Sequence, residues 1–294
     1  MTDNIEADFR HVNETDIQTR LLPDSGIEVI GDFVPSGSPT HVLFDFDGTL
    51  SLIREGWPEI MVPMMVEFLQ ATGADESPDV LRQVCSNFVM ELTGKQTIYQ
   101  MIRLAEEIAI RGGIPLNPVD YKTEYHNRLM HRIESRREGL RTGITSRSEM
   151  LVPGCIELLD ILQERDVRIY LASGTDERYV REEVELLRLD GYFGSRVYGA
   201  QDVFKSFSKA QVIDRILSDN DIDGASLLGF GDGYVEIQNV RDVGGTAIAV
   251  ASDEANRNGR PDPWKRERLI AAGAHVVVPD YAEAWRLIDW LWSS

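Results

Sequence analysis

The stretch HVLFDFDGTL, residues 41–50, decides the fold of this 294-residue chain. Mostly apolar residues run without alternation into Asp45 and Asp47, and such a run is typical of a parallel strand that is covered on both faces. Two carboxylates that lie two positions apart are costly to bury unless a partner neutralises their charge. The stretch therefore predicts a central strand that ends in an acidic functional site.

Further apolar runs of strand length follow this one along the chain. They cover residues 167–173, 195–200, 226–232, 245–251 and 274–280. Helical stretches lie between them, and strands that alternate with helices predict an α/β fold with a doubly wound parallel sheet of the Rossmann type.

Residues 52–150 break this alternation. The segment contains helical stretches and no strand pattern, which predicts an all-helical second domain inserted after the first strand. We therefore expect an α/β core formed by residues 41–51 and 151–294. Residues 1–40 read as an acidic N-terminal leader that ends in the connector VPSGSPT.

Composition limits the class of protein and its partners. A hydrophobic content of 43% favours a folded globular chain, and a net charge of −19 argues against nucleic acid or an anionic membrane as a partner. The N-terminus lacks the pattern of a signal peptide, and no apolar run reaches the ~20 residues that span a bilayer. Cys85 and Cys155 lack metal-site spacing, so we expect a cytoplasmic protein with reduced thiols.

Polar residues collect at the carboxyl ends of the predicted strands, where open parallel sheets bind their ligands. Asp232 ends the strand 226–232, Ser173 ends the strand 167–173, and Lys209 opens a helix for which Ser208 is a plausible N-cap. Clustered carboxylates of this kind are stable when a hard divalent cation neutralises them, and Mg²⁺ prefers a few carboxylate oxygens with water and phosphate.

This set of residues resembles the haloacid dehalogenase-like (HAD) hydrolase superfamily. Motifs stand in the superfamily's order: DFDGT at 45–49, LASGT at 171–175, Lys209, and GDGYVE at 231–236. The resemblance extends over roughly residues 40–294 and places the helical insert where the superfamily carries its C1-type cap domain.

The resemblance implies phosphoryl transfer through an aspartyl-phosphate. Asp45 is then the nucleophile, and Asp47 is the general acid that later becomes the general base. Asp45, the main-chain carbonyl of Asp47, and Asp232 are expected to hold Mg²⁺. The groups expected to contact the phosphate or the loop around it are Ser173, Gly174, Lys209, Gly48 and Thr49.

The sequence leaves alternatives for the role of Glu236 and for the lysine that binds the phosphate. The superfamily commonly carries an aspartate near Glu236, and the longer glutamate suits either a water-mediated metal ligand or a partner of Lys209. Lys205 competes with Lys209 for the phosphate, and Lys209 is preferred because it opens a helix and because its distance from Asp232 fits the superfamily better.

The insert supplies two candidate substrate contacts. Arg54 follows the catalytic loop in SLIREGW and is placed to lean over the phosphate or the polar groups of the substrate. Lys95 lies in the turn TGKQT, residues 93–97, between two helices of the insert. This turn is a candidate for contacting and recognising the leaving group.

The acid at position 47 favours phosphate esters as substrates, because the superfamily's dehalogenases lack it. Thr49 favours a phosphatase, since mutases often carry valine there. The favoured function is a Mg²⁺-dependent phosphatase for a small metabolite, such as a phosphosugar or a phosphoglycolate-like monoester. The alternatives are a phosphosugar mutase or phosphotransferase with the same residues, and a non-catalytic phosphometabolite-binding module. The oligomeric state stays open.

Overall fold

The computed structural model describes residues 10–12, 17–201 and 206–293. Over these residues the chain forms a sheet with strand order β1-β2-β8-β7-β6-β3-β4-β5. The strands are β1 (Thr19–Leu21), β2 (Glu28–Ile30), β3 (His41–Phe44), β4 (Arg168–Asp176), β5 (Val197–Ala200), β6 (Leu227–Gly231), β7 (Thr246–Val250) and β8 (Val276–Val278).

Strands β3 to β8 pair in parallel, while β1 and β2 pair antiparallel at one edge. Residues of β3 alternate between two cores, with Val42 and Phe44 facing one and Leu43 facing the other. Both faces of β3 are therefore covered, as its unbroken apolar run indicates. The predicted α/β class with a doubly wound, mostly parallel sheet is confirmed.

Helices cover both faces of the sheet and also fill the insert. Those of the insert are α1 (Pro58–Gln70), α2 (Pro78–Glu91), α3 (Thr97–Ile110) and α4 (Pro118–Thr142). The remaining helices are α5 (Cys155–Glu164), α6 (Glu177–Leu186), α7 (Asp190–Phe193), α8 (Lys209–Asn220), α9 (Tyr234–Asp242), α10 (Pro263–Ala272) and α11 (Ala284–Leu291).

Local sequence explains where several helices begin and end. Ser77 and Asn117 cap α2 and α4 by accepting from main-chain N–H groups, and each is followed by a proline at the first helical position. Gly143 ends α4 in the left-handed conformation, with φ of 75°. The helical character of the insert therefore follows from capping signals as well as from apolar spacing.

The leader contributes structure that its polar composition does not indicate. Strand β2 is buried and pairs with β8, so residues 28–30 extend the parallel sheet by an antiparallel strand. Main-chain bonds tie residues 10–12 to the same region, since the Val12 N–H donates to the Ala271 carbonyl at 2.8 Å. Much of the described leader thus packs on the core.

Candidate active site

The candidate site lies where the order of the sheet reverses direction. Strand β3 is paired with β4 on one side and β6 on the other, and crevices at such points bind ligands in α/β folds. The ends of these three strands and the start of α8 bring predicted residues to one cavity of about 100 Å³. Its wall includes Asp45, Asp47, Arg54, Lys95, Ser173, Gly174, Lys209 and Asp232.

Asp45 faces a buried lysine. The Lys209 ammonium lies 2.9 Å from Asp45 Oδ1 and also pairs with Glu236, so the latter occupies the position of a partner of Lys209. Ser208 caps α8 by accepting from the Gln211 N–H at 3.1 Å, and this fixes Lys209 at the first helical position. Burial raises the pKa of Asp45 to about 6; Lys209 opposes the shift and the charge of Asp232 adds to it.

One Asp47 oxygen accepts a hydrogen bond, and the other is buried and accepts none from the described residues. Thr175 donates a hydrogen bond of 2.8 Å to Asp47 Oδ2. In the part of the chain that is described, the buried Oδ1 accepts no hydrogen bond, although Arg54 Nε lies 3.6 Å away. Burial raises the pKa of Asp47 to about 6, Arg54 lowers it, and Glu183 raises it further. Such a carboxyl gives and takes protons readily near neutral pH.

Asp232 is anchored on both sides. Its main-chain N–H donates to Thr49 Oγ1 at 3.0 Å, and its Oδ2 lies 2.8 Å from the Lys265 ammonium. Lys265 also contacts Glu254 at 2.7 Å, and burial raises the pKa of that glutamate. These contacts orient the Asp232 carboxylate toward the loop after β3.

The loop after β3 requires glycine at position 48. Gly48 has φ of +73°, and a Cβ there would lie 2.2 Å from Asp232 Oδ2. The Gly48 and Thr49 main-chain oxygens accept hydrogen bonds from the Ser252 and Tyr281 hydroxyls, at 2.6 and 2.9 Å. The loop is therefore fixed from behind while its front faces the cavity.

The turn 93–97 of the insert closes the cavity from the opposite side. A Cβ at Gly174 would lie only 2.8 Å from the Lys95 main-chain oxygen, so the turn and the end of β4 are in close contact. Gln96 strengthens this contact by donating to the Phe207 carbonyl at 2.8 Å. Lys95 is buried here and belongs to the cavity wall.

Several charged residues of the site were not anticipated from the sequence. Glu183 is fully buried and forms a two-point ion pair with Arg54. Lys265 forms ion pairs with both Asp232 and Glu254. A signal for Glu183 existed, because it shares the apolar face of α6 with Val180 and Val184 at helical spacing. No local pattern marks Lys265. Lys205, the alternative to Lys209, lies outside the described residues.

These charges form an ion-pair network that favours an added cation. Within the described chain, each of its three cations (Arg54, Lys209 and Lys265) pairs with two carboxylates. The carboxylates are Asp45, Asp47, Glu183, Asp232, Glu236 and Glu254. With every member ionised, the network carries three more negative than positive charges in a largely buried site. A divalent cation reduces this excess of negative charge.

The donor groups also fit Mg²⁺ by type. Asp45 and Asp232 line the same cavity as Asp47, and the Asp232 charge acts on both other aspartates. No group of three His, Cys, Asp or Glu side chains suited to a metal occurs in the described ranges. Mg²⁺ does not need three such side chains. Two carboxylates and a main-chain carbonyl are enough, because Mg²⁺ completes its coordination shell with water and phosphate oxygens.

The fold and the cavity define an α/β protein with an acidic cavity at the switch point of its sheet. A family model described as haloacid dehalogenase-like hydrolase matches residues 39–244. The chain therefore belongs to the haloacid dehalogenase-like hydrolases and is an enzyme, which confirms the resemblance seen in the sequence. A search of the curated proteins found no match.

Solved structures share this architecture. β-Phosphoglucomutase from Clostridium difficile has 13% identity and a TM-score of 0.58, over 87% of this chain and 97% of its own. A family IA, variant 3 HAD hydrolase from Entamoeba histolytica has 17% identity and a TM-score of 0.56, over 85% and 98%. A predicted phosphoglycolate phosphatase from Haemophilus somnus has 14% identity and a TM-score of 0.53, over 85% and 97%. At these identities the likeness is one of fold.

Among the described helices, none combines the length and the apolar character needed to cross a bilayer.

Proposed function

We propose that the protein is a Mg²⁺-dependent phosphatase that hydrolyses a small phosphorylated metabolite through an aspartyl-phosphate. The observation that carries the proposal is the cavity itself, in which Asp45 and Asp47 face Lys209, Ser173 and Asp232. A nucleophilic carboxylate, a carboxyl with a raised pKa, and an ammonium group are the parts that a two-step phosphoryl transfer uses.

The first step uses both aspartates after the β3 strand. An Asp45 carboxylate oxygen attacks phosphorus, and the bond from phosphorus to the ester oxygen breaks as Asp47 protonates that oxygen. The leaving alcohol departs, and the phosphoryl group stays on Asp45. In the second step Asp47 takes a proton from water, the water oxygen attacks phosphorus, and the bond from phosphorus to the Asp45 oxygen breaks, which gives inorganic phosphate and free Asp45.

The surrounding groups bind charge and orient the substrate. Ser173, the Gly174 main chain and Lys209 are assigned to the phosphate oxygens, with Gly48 and Thr49 shaping the loop beneath them. Asp45, the Asp47 carbonyl and Asp232 would hold Mg²⁺, with Glu236 acting on Lys209 or through water. When bound, Mg²⁺ offsets the repulsion between an anionic nucleophile and an anionic phosphate.

The size of the cavity supports a small substrate. Each water takes about 30 Å³ in the liquid, so a cavity of about 100 Å³ has room for only a few groups of that size. This suits a phosphate with a short leaving group, such as a phosphoglycolate-like ester, more closely than a large one. Lys95, in the turn that closes the cavity, is assigned to the leaving group.

A phosphosugar mutase or phosphotransferase with the same residues remains the second candidate. Thr49 favours the phosphatase, because mutases of the superfamily often carry valine there; in this chain the Thr49 hydroxyl accepts from the Asp232 N–H. Product analysis separates the two candidates, since a mutase isomerises a sugar phosphate without releasing inorganic phosphate.

The test measures phosphate release from an aryl phosphate and then from a panel of small phosphate esters in Mg²⁺. Asp45→Asn is expected to lose activity at least about a thousandfold, and a chelator is expected to remove activity until Mg²⁺ is restored. Asp214→Asn, an exposed change on α8, is the control and keeps wild-type rates. Full activity in Asp45→Asn contradicts the proposal.

A further inference from the structure

Arg54 lies at the boundary between the insert and the core, yet its guanidinium group points into the core. The residue is 7% exposed. Its Nε and Nη2 donate to the two carboxylate oxygens of Glu183, at 3.1 and 2.8 Å, and Nε also lies 3.6 Å from Asp47 Oδ1. A two-point pair of this kind fixes the plane of the guanidinium as well as its position.

Burial of the Arg54–Glu183 pair carries a high desolvation cost. Glu183 has no exposed surface and stands between the apolar Val180 and Val184 on α6, where a hydrophobic residue would avoid the cost of desolvating a charge. The main chain on both sides of Arg54 is held too, because Arg136 on α4 donates to the Ile53 and Glu55 carbonyls at 2.8 Å. The structure thus fixes Arg54 from two directions.

The Arg54–Glu183 pair lies next to the Asp47 carboxyl and acts on it. Its Oδ2 is taken by Thr175, and its Oδ1 lies beside Arg54 without a hydrogen bond among the described residues. Because Arg54 Nε and Nη2 already donate to Glu183, the guanidinium attracts Oδ1 without occupying it as a hydrogen-bond acceptor. Oδ1 is thus held on the Arg54 side, out of contact with solvent, while about 25% of the Asp47 side chain stays accessible at the cavity.

We propose that Arg54, clamped by Glu183, is a positioning residue that holds Asp47 Oδ1 and so turns the accessible side of the carboxyl toward the ester oxygen and later toward the attacking water. This rests on the proposed phosphatase function and differs from a direct contact between Arg54 and substrate. In the first step the proton of the Asp47 carboxyl passes to the ester oxygen as the bond from that oxygen to phosphorus breaks. In the second step the Asp47 carboxylate takes a proton from water as the water oxygen bonds to phosphorus and the bond from phosphorus to Asp45 breaks.

The leaving group gives a readout that a merely structural role would not move. An aryl phosphate releases a stable phenolate and needs little protonation, whereas a short alkyl phosphate requires a proton on its leaving oxygen. The value of kcat/KM reports the steps up to loss of the leaving group, so it isolates the acid role of Asp47. Arg54→Lys and Arg54→Ala are expected to lower kcat/KM about a hundredfold or more for the alkyl ester, and less than about tenfold for the aryl ester.

Two further variants keep the test decisive. Arg54→Ala leaves Glu183 buried without its partner and can fail to fold, so the double variant Arg54→Gln, Glu183→Gln replaces the ion pair with a neutral pair and should show the same selective loss. Asp47→Asn is the reference for lost acid catalysis, and adding Arg54→Lys to it should not increase the difference between the two esters.

Equal losses on the two esters, in every folded Arg54 variant, would overturn the proposal and favour a direct phosphate contact or a structural role. This result is distinguishable from failure of the proposed function. If the wild-type enzyme releases no phosphate, or if Asp45→Asn keeps full activity, the phosphatase itself is wrong.

Discussion

At the scale of single residues, the site is organised by three buried cations, each of which pairs with two acids. Lys209 joins Asp45 to Glu236, Lys265 joins Asp232 to Glu254, and Arg54 joins Asp47 to Glu183. Breaking a buried pair by removing one partner costs about 3–5 kcal/mol. Substitutions in this network must therefore be tested for stability and activity separately.

Gly48 offers a clean separation of strain from function. Gly48→Ala places a Cβ at positive φ, which costs about 1–2 kcal/mol, and also drives it into the Asp232 carboxylate. Displacing that carboxylate is expected to lower kcat/KM about a hundredfold. Urea unfolding and steady-state kinetics on the same preparation measure the two effects.

Gly73→Ala is the matched control, since Gly73 has φ of +78° and nothing within 4 Å of an added Cβ. It should show the loss of stability that positive φ alone causes, with normal kinetics. Wild-type kinetics in Gly48→Ala would contradict the geometry of the Asp232 carboxylate.

At the scale of elements, two of the contacts between the insert and the core can be compared. The turn 93–97 touches the end of β4, while α4 meets the start and body of α6 through ion pairs of Lys122 with Asp176, the residue before α6, and of Arg137 with Glu182. The turn covers the cavity, whereas none of the four residues in these ion pairs lines it. Changes in the turn should therefore affect catalysis more strongly than changes in the pairs.

Gly174→Ala tests the contact between turn and strand. The added Cβ would lie 2.8 Å from the Lys95 main-chain oxygen, so the turn must move away from the cavity. We expect kcat/KM to fall about ten- to a hundredfold with little change in the thermal midpoint. Gly191→Ala, where an added Cβ meets nothing within 4 Å, should leave kcat/KM unchanged. A wild-type kcat/KM in Gly174→Ala would show that the turn does not have to approach β4.

The elements differ in how well sequence predicts them. The six parallel strands were all anticipated, because burial on both faces leaves an unbroken apolar run in each. Strands β1 and β2 were missed, since each has three residues and β1 is exposed throughout. They form by pairing with each other and, for β2, with β8, and such tertiary contacts leave no local pattern.

The same reasoning applies to the site. Asp45, Asp47, Ser173, Lys209 and Asp232 could be placed together because each follows a strand or begins a helix at the same sheet edge. Lys265 and Glu254 could not, because their contact with Asp232 depends on how α10 and the chain after β7 pack. The roles of all these residues stay predictions until they are tested by substitution.

At the scale of the whole molecule, the leader is joined to the sheet through His275. The Ile30 N–H donates to the His275 carbonyl at 3.0 Å, and the Phe33 ring lies 4.7 Å from the imidazole. The Ala247 N–H donates to Nδ1 at 3.0 Å, so the ring must be neutral at that nitrogen. Burial lowers the pKa of His275 to about 4, and Arg241 adds to this shift.

This shift predicts a pH dependence of stability. The unfolded histidine takes a proton near its ordinary pKa of 6.5, whereas the folded one stays neutral down to about 4. The unfolded state therefore binds more protons at this residue between these values, and the contribution of His275 to the free energy of unfolding falls as the pH drops through that window, by on the order of 2–3 kcal/mol. Burial raises the pKa of Asp45 and Asp47 to about 6, which acts in the opposite direction in the same window and is shared by wild type and variant.

His275→Asn should remove the His275 contribution and so change the slope of the profile in this window, because an amide oxygen can accept from Ala247 without titrating. Urea unfolding of wild type and variant at several pH values measures the difference. His131→Asn, an exposed change on α4, is the control and should keep the wild-type slope. Parallel profiles for wild type and His275→Asn would contradict a buried neutral imidazole.

The central claim is that Asp45 carries the phosphoryl group during turnover, and trapping that state tests it most directly. Asp47→Asn should accumulate it with an aryl phosphate, because the leaving group needs no acid while hydrolysis loses its base. Rapid acid quenching and peptide mass spectrometry should then find one phosphoryl group on Asp45. Turnover with no covalent phosphoryl group on the chain, or one on another residue, would contradict the account.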